Sequence, residues 1–139
     1  MDEVLRIIDA NSNRAREGAR VVEDIARFIL IDEKLAARWK DIRHGISRIS
    51  GELAKNRVDC RDSAHDPGRR IDSAGENTRA DCEAIARANA KRTQEAIRVL
   101  EEFSKIYSPE AGARFKELRF EVYTLEQETL AGLELRNNN

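Results

Sequence analysis

An asparagine, an arginine and a glutamate recur at three-residue spacing near the start of this chain. The stretch NSNRAREGARVVE carries them as Asn11, Arg14 and Glu17. At about 100° per residue, Asn11 falls within the apolar stripe of a helix, and Arg14 falls between Val21 and Ile25, so both side chains are expected to be buried. A polar group buried without a partner costs on the order of 1–3 kcal/mol, and a charge costs more. We therefore expect these side chains to be paired with one another or used to bind a ligand.

The same pattern occurs again in the second half of the sequence. Residues 11–23 align with residues 89–101 at a constant offset of 78, with six of thirteen positions identical. ARWKDIR at 37–43 likewise matches ARFKELR at 113–119 at an offset of 76, with four identities. Such self-similarity indicates a duplicated helical hairpin. The smaller second offset predicts that the turn within the second hairpin is two residues shorter.

The duplication leaves two interpretations of the polar residues open. In a bundle with an internal twofold axis, the two sets would face each other and line one polar chamber for a ligand. Alternatively, they form arginine–glutamate networks that fix the register of the helices, a use for which buried polar groups are suited. The six residues concerned are Asn11, Arg14, Glu17, Asn89, Arg92 and Glu95.

The apolar spacing is helical nearly throughout, and no segment supports a strand. Asp32 is a plausible N-cap for the second helix, Thr78 begins a capping box with Asp81, and Ser108-Pro109 suits the start of the fourth helix. The sequence thus predicts an all-α fold of four long helices, arranged as a duplicated antiparallel hairpin in a pseudo-twofold bundle. The helices are expected at about 2–30, 32–56, 78–107 and 108–133.

We expect a single domain over residues 1–139, with repeats at about 2–55 and 78–134 joined by a linker at about 56–77. That linker, NRVDCRDSAHDPGRRIDSAGEN, is longer than compact domains usually leave without secondary structure. Its arginines suit a phosphate and its carboxylates suit a divalent cation. A merely solvated linker is the alternative. The linker concentrates six ionisable residues around a Pro67-Gly68 turn: Arg61, Asp62, His65, Asp66, Arg69 and Arg70.

The composition argues against several classes of protein. With 25 basic and 26 acidic residues the net charge is −1, which does not favour general nucleic-acid binding. No apolar run approaches the roughly 18 residues of a membrane span. The two cysteines, Cys60 and Cys82, lack metal-ligand spacing and are typical of a reducing compartment, so we expect a cytoplasmic protein. No known nucleotide-binding motif is present.

Three motifs taken together resemble a known family: ANSNRAREGARVVED, CRDSAHDPG and ANAKRTQEAIRVLEEFSK. Over about residues 4–130 the chain resembles the helical hydroxymethylpyrimidine phosphate kinase-like domain of thiamine biosynthesis. That domain precedes thiamine-phosphate synthase in cyanobacterial-type fusions and also occurs as a stand-alone chain. The resemblance implies ATP- and Mg²⁺-dependent conversion of 4-amino-5-hydroxymethyl-2-methylpyrimidine phosphate to its diphosphate. Since the sequence to Asn139 contains no synthase barrel, we expect any role beside the synthase to be exerted in trans.

The resemblance also implies roles for individual residues. Arg14 and Arg92 would be phosphate ligands in the helical set that lines the interior. Asp62 or Asp66 would be the metal ligand or base, within a linker signature that includes Arg61 and Gly68. Second choices for the metal ligand or base are Asp24, Glu101 and Glu102. Two other functions stay open: a non-catalytic module that binds a pyrimidine or the synthase, and a helical domain that forms a homodimer.

Overall fold

The structure is a computed structural model and describes residues 2–55 and 78–138. Within these ranges the chain forms four helices and no strand, which confirms the all-α prediction. None of the described helices is long and apolar enough to cross a membrane. The helices are α1 (Asp2–Asp24), α2 (Glu33–Ala54), α3 (Cys82–Ser104) and α4 (Pro109–Asn137), and α1 continues into a π-helical segment, Ile25–Ile29.

Two of the predicted N-caps are confirmed. The Asp32 carboxylate accepts a hydrogen bond of 3.0 Å from the backbone N–H of Leu35. The Ser108 hydroxyl accepts one of 3.1 Å from the backbone N–H of Ala111, with Pro109 in the first turn of α4. Each side chain satisfies a backbone N–H that has no partner within its own helix. These two caps fix where the second helix of each hairpin begins.

The predicted start of the third helix at Thr78 is wrong. Asp81 is itself the N-cap: its backbone is extended, and its carboxylate accepts a hydrogen bond of 2.8 Å from the N–H of Ala84. An aspartate is as good an N-cap as a threonine. The spacing between the two residues was therefore mistaken for a capping box, and α3 begins at Cys82.

The predicted shorter turn in the second hairpin is also wrong. The connection within the first hairpin is residues 30–32, and the connection within the second is residues 105–108, which is one residue longer. The first helical run ends at Ile29, whereas α3 ends at Ser104, the equivalent of Ala26. The extra residues of the first repeat thus lie in its helix, where a π-helical turn takes up more residues than an α-helical turn.

Helices α1 and α3 are antiparallel and form the most extensive helix pair of the structure. The Thr93 hydroxyl lies 3.3 Å from the carbonyl oxygen of Ala15, to which it donates. In the π-helical segment that continues α1, Ile25 packs in one apolar cluster with Ala86 of α3 and with Leu133 of α4. Rising residue numbers on α1 therefore meet falling numbers on α3.

Gly18 allows α1 and α3 to approach this closely. A Cβ at Gly18 would lie 2.5 Å from the Thr93 hydroxyl oxygen and 2.7 Å from the carbonyl oxygen of Asn89. Real Cβ atoms essentially never come under 3.0 Å from another heavy atom. Because one of the two atoms belongs to the backbone, the helices would have to move apart to accept a side chain.

Each hairpin contributes one large aromatic residue to the core at the same position of its second helix. Trp39 of α2 and Phe115 of α4 are equivalent at the offset of 76, and both are fully buried. The Trp39 indole N–H donates a hydrogen bond of 3.1 Å to the Thr129 hydroxyl, which satisfies its one polar atom. Since α2 and α4 also contact each other, the four helices enclose a common core on one side of the α1–α3 pair.

Candidate functional site

The two repeated asparagines occupy corresponding environments. The Asn11 amide nitrogen donates 2.9 Å to the carbonyl oxygen of Ile7, one turn earlier in α1, and the residue is 6% exposed. Asn89 makes the same bond of 2.9 Å to the carbonyl oxygen of Ile85 and is half-buried. The Asn11 side-chain oxygen also accepts a hydrogen bond of 3.5 Å from Arg14. Each asparagine is thus anchored to its own helix.

The four repeated charges do not line an interior chamber, and that expectation is wrong. Arg14, Glu17, Arg92 and Glu95 are all exposed. The reason is angular: Arg14 lies about 60° from Asn11 around the helix, and Glu17 lies about 120° from it. These directions fall outside the arc of α1 that its neighbours cover.

These charges nevertheless lie next to the pseudo-twofold axis. Thr93 is the repeat equivalent of Ala15, and the two residues contact each other, so the axis passes between them. One arginine comes one residue before each of these positions, and one glutamate comes two residues after. At about 1.5 Å per residue, all four lie within about one helical turn along the helix axes. We call Arg14, Glu17, Arg92 and Glu95 the axial cluster.

The axial cluster lies on one face of the α1–α3 pair. Glu23 of α1 points toward α2, because it pairs with Arg43. Arg14 is nine residues before Glu23 and so lies about 180° from it around the helix. Arg92 stands in the same relation to Glu101. A twofold axis between antiparallel helices runs perpendicular to their common plane and preserves each face, so both arginines lie on the face away from α2 and α4.

The function of fixing helix register belongs to a different pair of arginines. Arg43 donates through Nε to Glu23 Oε1 at 2.6 Å and through Nη2 to Oε2 at 3.2 Å. Arg119 of α4 donates to Glu101 of α3 at 2.9 Å, and this bond raises the pKa of Arg119 above its ordinary value. The side chains of both glutamates are at most 6% exposed. Each hairpin thus carries one buried ion pair between its two helices.

Sequence reasoning did not find these ion pairs, although a signal was present. Glu23 and Glu101 are among the six identities of the first alignment, and Arg43 and Arg119 are among the four identities of the second. Two charges of opposite sign that recur on both helices of a duplicated hairpin indicate a pair between those helices. The prediction of Glu101 as a metal ligand or base does not account for its burial against Arg119.

The other two second-choice carboxylates are engaged in ion pairs on the surface. Asp24 lies 3.4 Å from Arg20, and Glu102 lies 3.1 Å from Arg98, each pair spanning one turn of its helix. Arg20 and Arg98 are themselves a repeated identity. Ion pairs between residues one helical turn apart stabilise a helix by about 0.2–0.5 kcal/mol, which accounts for the recurrence of these two arginines.

The predicted linker residues lie outside the described residues: Arg61, Asp62, Asp66 and Gly68. Their proposed functions therefore stay predictions. Within residues 2–55 and 78–138, no group of three or more His, Cys, Asp or Glu side chains is placed to hold a metal ion by itself. Magnesium in phosphoryl-transfer sites is commonly held by one or two carboxylates together with the phosphates of the substrate.

The chemistry that the axial cluster offers is anion binding beside two carboxylates. Among the described residues, Glu17, Arg92 and Glu95 form no ion pair. A guanidinium presents a planar set of N–H donors that matches phosphate oxygens in pairs. Glutamate oxygens at the same place can complete the coordination of a Mg²⁺ ion that is bound to those phosphates. The cluster therefore has the donors that a phosphate–magnesium complex requires.

Comparison with known proteins shows relatives of one kind. The chain is 43% identical over 133 residues to a thiamine-phosphate synthase of Gloeobacter violaceus, covering 96% of this chain and 38% of that protein. It is 42% identical over 123 residues to one of Synechocystis, covering 88% and 35%. For one of Rhodopirellula baltica the identity is 38% over 138 residues, covering 96% and 37%. The chain thus spans little more than a third of the length of these relatives.

No solved structure matches the chain. The profile of the ThiD2 family matches residues 6–128, which include α2, α3, most of α1 and α4, and the whole axial cluster. Since this match covers most of the sequence, the chain belongs to the ThiD2 family.

Proposed function

We propose that this protein is a kinase of thiamine biosynthesis that acts on a pyrimidine monophosphate. A place in thiamine biosynthesis is supported by the family and by the relatives, which are named thiamine-phosphate synthase. In the proposed reaction, an oxygen of 4-amino-5-hydroxymethyl-2-methylpyrimidine phosphate takes the terminal phosphoryl group of ATP. The products are the pyrimidine diphosphate and ADP.

The observation that carries this proposal is the exposure of the axial cluster. The other charged identities of the first alignment are engaged in ion pairs: Glu23 and Glu101 in buried pairs, Arg20 and Arg98 in surface pairs. Substitutions of exposed residues usually change stability by no more than about 0.5 kcal/mol. Stability therefore gives little reason for the same exposed arginine and glutamate in both halves, whereas a ligand at the axis gives one.

The axial cluster suits phosphoryl transfer because that reaction depends on positioning and charge neutralisation more than on covalent chemistry. Arg14 and Arg92 would bind phosphate oxygens. Asn11 positions Arg14, since its amide nitrogen is held by the carbonyl of Ile7 while its oxygen accepts from the guanidinium. Mg²⁺, carried in with ATP, would neutralise phosphate charge. Glu17 and Glu95 are the described carboxylates nearest to these arginines in sequence.

The linker supplies the rest of the proposed catalytic set. From the sequence, Asp62 and Asp66 are the proposed metal ligands or base, with Arg61 as a further phosphate-binding group and Gly68 in the adjoining turn. Substitution of Asp66 by asparagine should lower the rate of diphosphate formation and leave the melting temperature nearly unchanged. An unchanged rate would indicate that the linker is only a solvated connection between the two repeats.

The test is an assay with purified protein, ATP, Mg²⁺ and the pyrimidine monophosphate, with diphosphate formation followed by ³¹P NMR. Arg14→Met and Arg92→Met should each lower kcat/KM by at least about tenfold, because each removes a charged hydrogen-bond donor from a phosphate. Arg20→Met and Arg98→Met are matched controls, since they remove exposed arginines that lie about 120° away on the same helices. No diphosphate from the parent, or equal losses in the controls, would contradict the proposal.

A second candidate function is a non-catalytic module that works with thiamine-phosphate synthase. The observation in its favour is that the chain matches about a third of proteins that bear this name. The same preparation distinguishes the two functions. A module would form no diphosphate from ATP and the monophosphate, yet it would raise the rate at which added thiamine-phosphate synthase uses the diphosphate.

A further inference from the structure

We infer that the axial cluster is a site for the Mg²⁺ complex of a diphosphate group, in which one arginine from each half of the chain binds one phosphoryl group. The inference deepens the proposed function and rests on it for the identity of the natural ligand. The proposed function leaves open which chemical group binds at the axis and which half of the chain binds each part of that group. The inference specifies both.

The symmetry of the site is the first step. Arg14 and Arg92 are equivalent residues, each one position before the contact between Ala15 and Thr93. On antiparallel helices, this places them on opposite sides of the axis and about 3 Å apart along the helix direction. A diphosphate consists of two phosphoryl groups joined by one oxygen. With that oxygen near the axis, each phosphoryl group meets one guanidinium.

The helix spacing allows both arginines to reach one ligand. Gly18 lets α1 and α3 approach until a Cβ there would lie 2.7 Å from a backbone oxygen of α3. Closely packed helices have axes about 8–10 Å apart, and an arginine side chain can span much of that distance. Two guanidiniums that lie on the same face of the pair can therefore converge over the axis.

The charges of the cluster determine the form of the ligand. Two arginines and two glutamates sum to zero, so a free diphosphate, with its several negative charges, would meet two carboxylates as well as two guanidiniums. Bound Mg²⁺ lowers the charge of the diphosphate, and its remaining coordination positions favour carboxylate oxygens. The glutamates thus oppose the free anion and favour its magnesium complex.

Glu17, Arg92 and Glu95 form no ion pair with one another in the described part of the chain. Glu17 and Arg92 lie at neighbouring levels across the axis, one residue apart, yet no ion pair joins them within the described part of the chain. An exposed cross-helix pair would contribute little stability, about 0.2–1 kcal/mol. In a bound magnesium diphosphate, a phosphate oxygen can accept a hydrogen bond from the guanidinium of Arg92 while the carboxylate of Glu17 coordinates the metal ion. Such a ligand would use both groups at once.

The experiment is isothermal titration calorimetry with inorganic pyrophosphate as the probe, with and without Mg²⁺, and with orthophosphate and ADP as comparisons. The parent should bind magnesium pyrophosphate at least about tenfold more tightly than either free pyrophosphate or orthophosphate. Arg14→Met and Arg92→Met should each lose at least about tenfold in affinity, by similar factors. Arg20→Met and Arg98→Met should bind as the parent does.

The glutamates provide the sharper test. In Glu17→Gln and in Glu95→Gln the preference for the magnesium complex should fall, because free pyrophosphate then meets one carboxylate instead of two. Since all four side chains are exposed, these variants should keep the melting temperature of the parent within a few degrees. Failure of the parent to bind pyrophosphate, unequal effects of the two arginines, or binding that ignores Mg²⁺ would each overturn the inference.

The outcomes also separate this inference from the proposed function. If the parent forms the pyrimidine diphosphate but Arg92→Met binds magnesium pyrophosphate normally, the kinase function stands and the axial site is wrong. If magnesium pyrophosphate binds as expected and no kinase activity is found, the site stands and the function is wrong. Binding of ADP as tight as that of pyrophosphate, lost in the same variants, would assign the site to the nucleotide phosphates.

Discussion

Replacement of Arg43 by methionine tests whether the buried ion pairs hold each hairpin together. The change removes the guanidinium and keeps an unbranched apolar stem. Glu23, whose side chain is 5% exposed, then loses hydrogen bonds of 2.6 and 3.2 Å. A carboxylate is left between two helices without its partner, so the folded state should be destabilised.

The expected loss follows from the burial of the pair. Removal of one partner from a fully buried ion pair costs about 3–5 kcal/mol. The Arg43 side chain is 19% exposed, so water reaches part of the remaining carboxylate and the cost should be lower. We expect about 2–4 kcal/mol, which corresponds to a fall in melting temperature of roughly 8–16 °C for a domain of this size.

The measurement is urea unfolding followed by circular dichroism. Arg119→Met should lose a similar amount, whereas Arg98→Met, at an exposed surface pair, should lose almost nothing. The double variant Glu23→Gln with Arg43→Met should recover at least half of the loss, because no charge remains without a partner. A loss below about 1 kcal/mol in Arg43→Met, or a double variant that is less stable than it, would refute the reasoning.

Three further predictions test other parts of the fold. In thermal unfolding, Gly18→Ala should destabilise the protein by about 1–3 kcal/mol, because the new Cβ would press on the backbone of α3. Gly51→Ala should stabilise it by about 0.5–1 kcal/mol, because a Cβ there would have no neighbouring atom within 4 Å and alanine favours the helix. Asp81→Ala should cost about 1 kcal/mol in the same measurement, as the loss of an N-cap does. The hydrogen bond from Arg114 lowers the pKa of Glu52 in the folded state. The stability that this pair contributes is therefore present above the ordinary carboxyl pKa and is lost as the pH falls through the folded-state pKa. In Arg114→Met, NMR titration should show a higher pKa for Glu52.

Much of the helical framework could be predicted from local sequence. Asp32 and Ser108 act as N-caps because a short polar side chain before an apolar run can bond only the free N–H groups of the first turn. The number of helices and their pairing into hairpins followed from the duplication. The start of α3 could not be fixed in this way, since Thr78 and Asp81 are both competent caps and only the tertiary contacts of the helix choose between them.

The position of the axial cluster shows where a helical wheel stops being informative. The wheel gives the angle of Arg14 relative to Asn11, but it does not give the width of the buried arc, which depends on how many neighbours cover the helix. With α2 and α3 on one side of α1, the arc ends before Arg14. The same six residues therefore combine two buried or half-buried asparagines with four exposed charges.

The contact between Gly18 and Thr93 has a consequence for the history of the duplication. Two identical hairpins related by a true twofold axis would form an isologous dimer, in which position 18 of each copy meets position 15 of the other. In this chain Gly18 meets Thr93, and the repeat equivalents of these two residues are Ala96 and Ala15, which are both buried. Glycine and threonine together fill about the same volume as two alanines, so the two sides of the axis are filled equally by different combinations of residues. A symmetric dimer must use the same combination twice, whereas the fused chain adjusts each side of its axis separately.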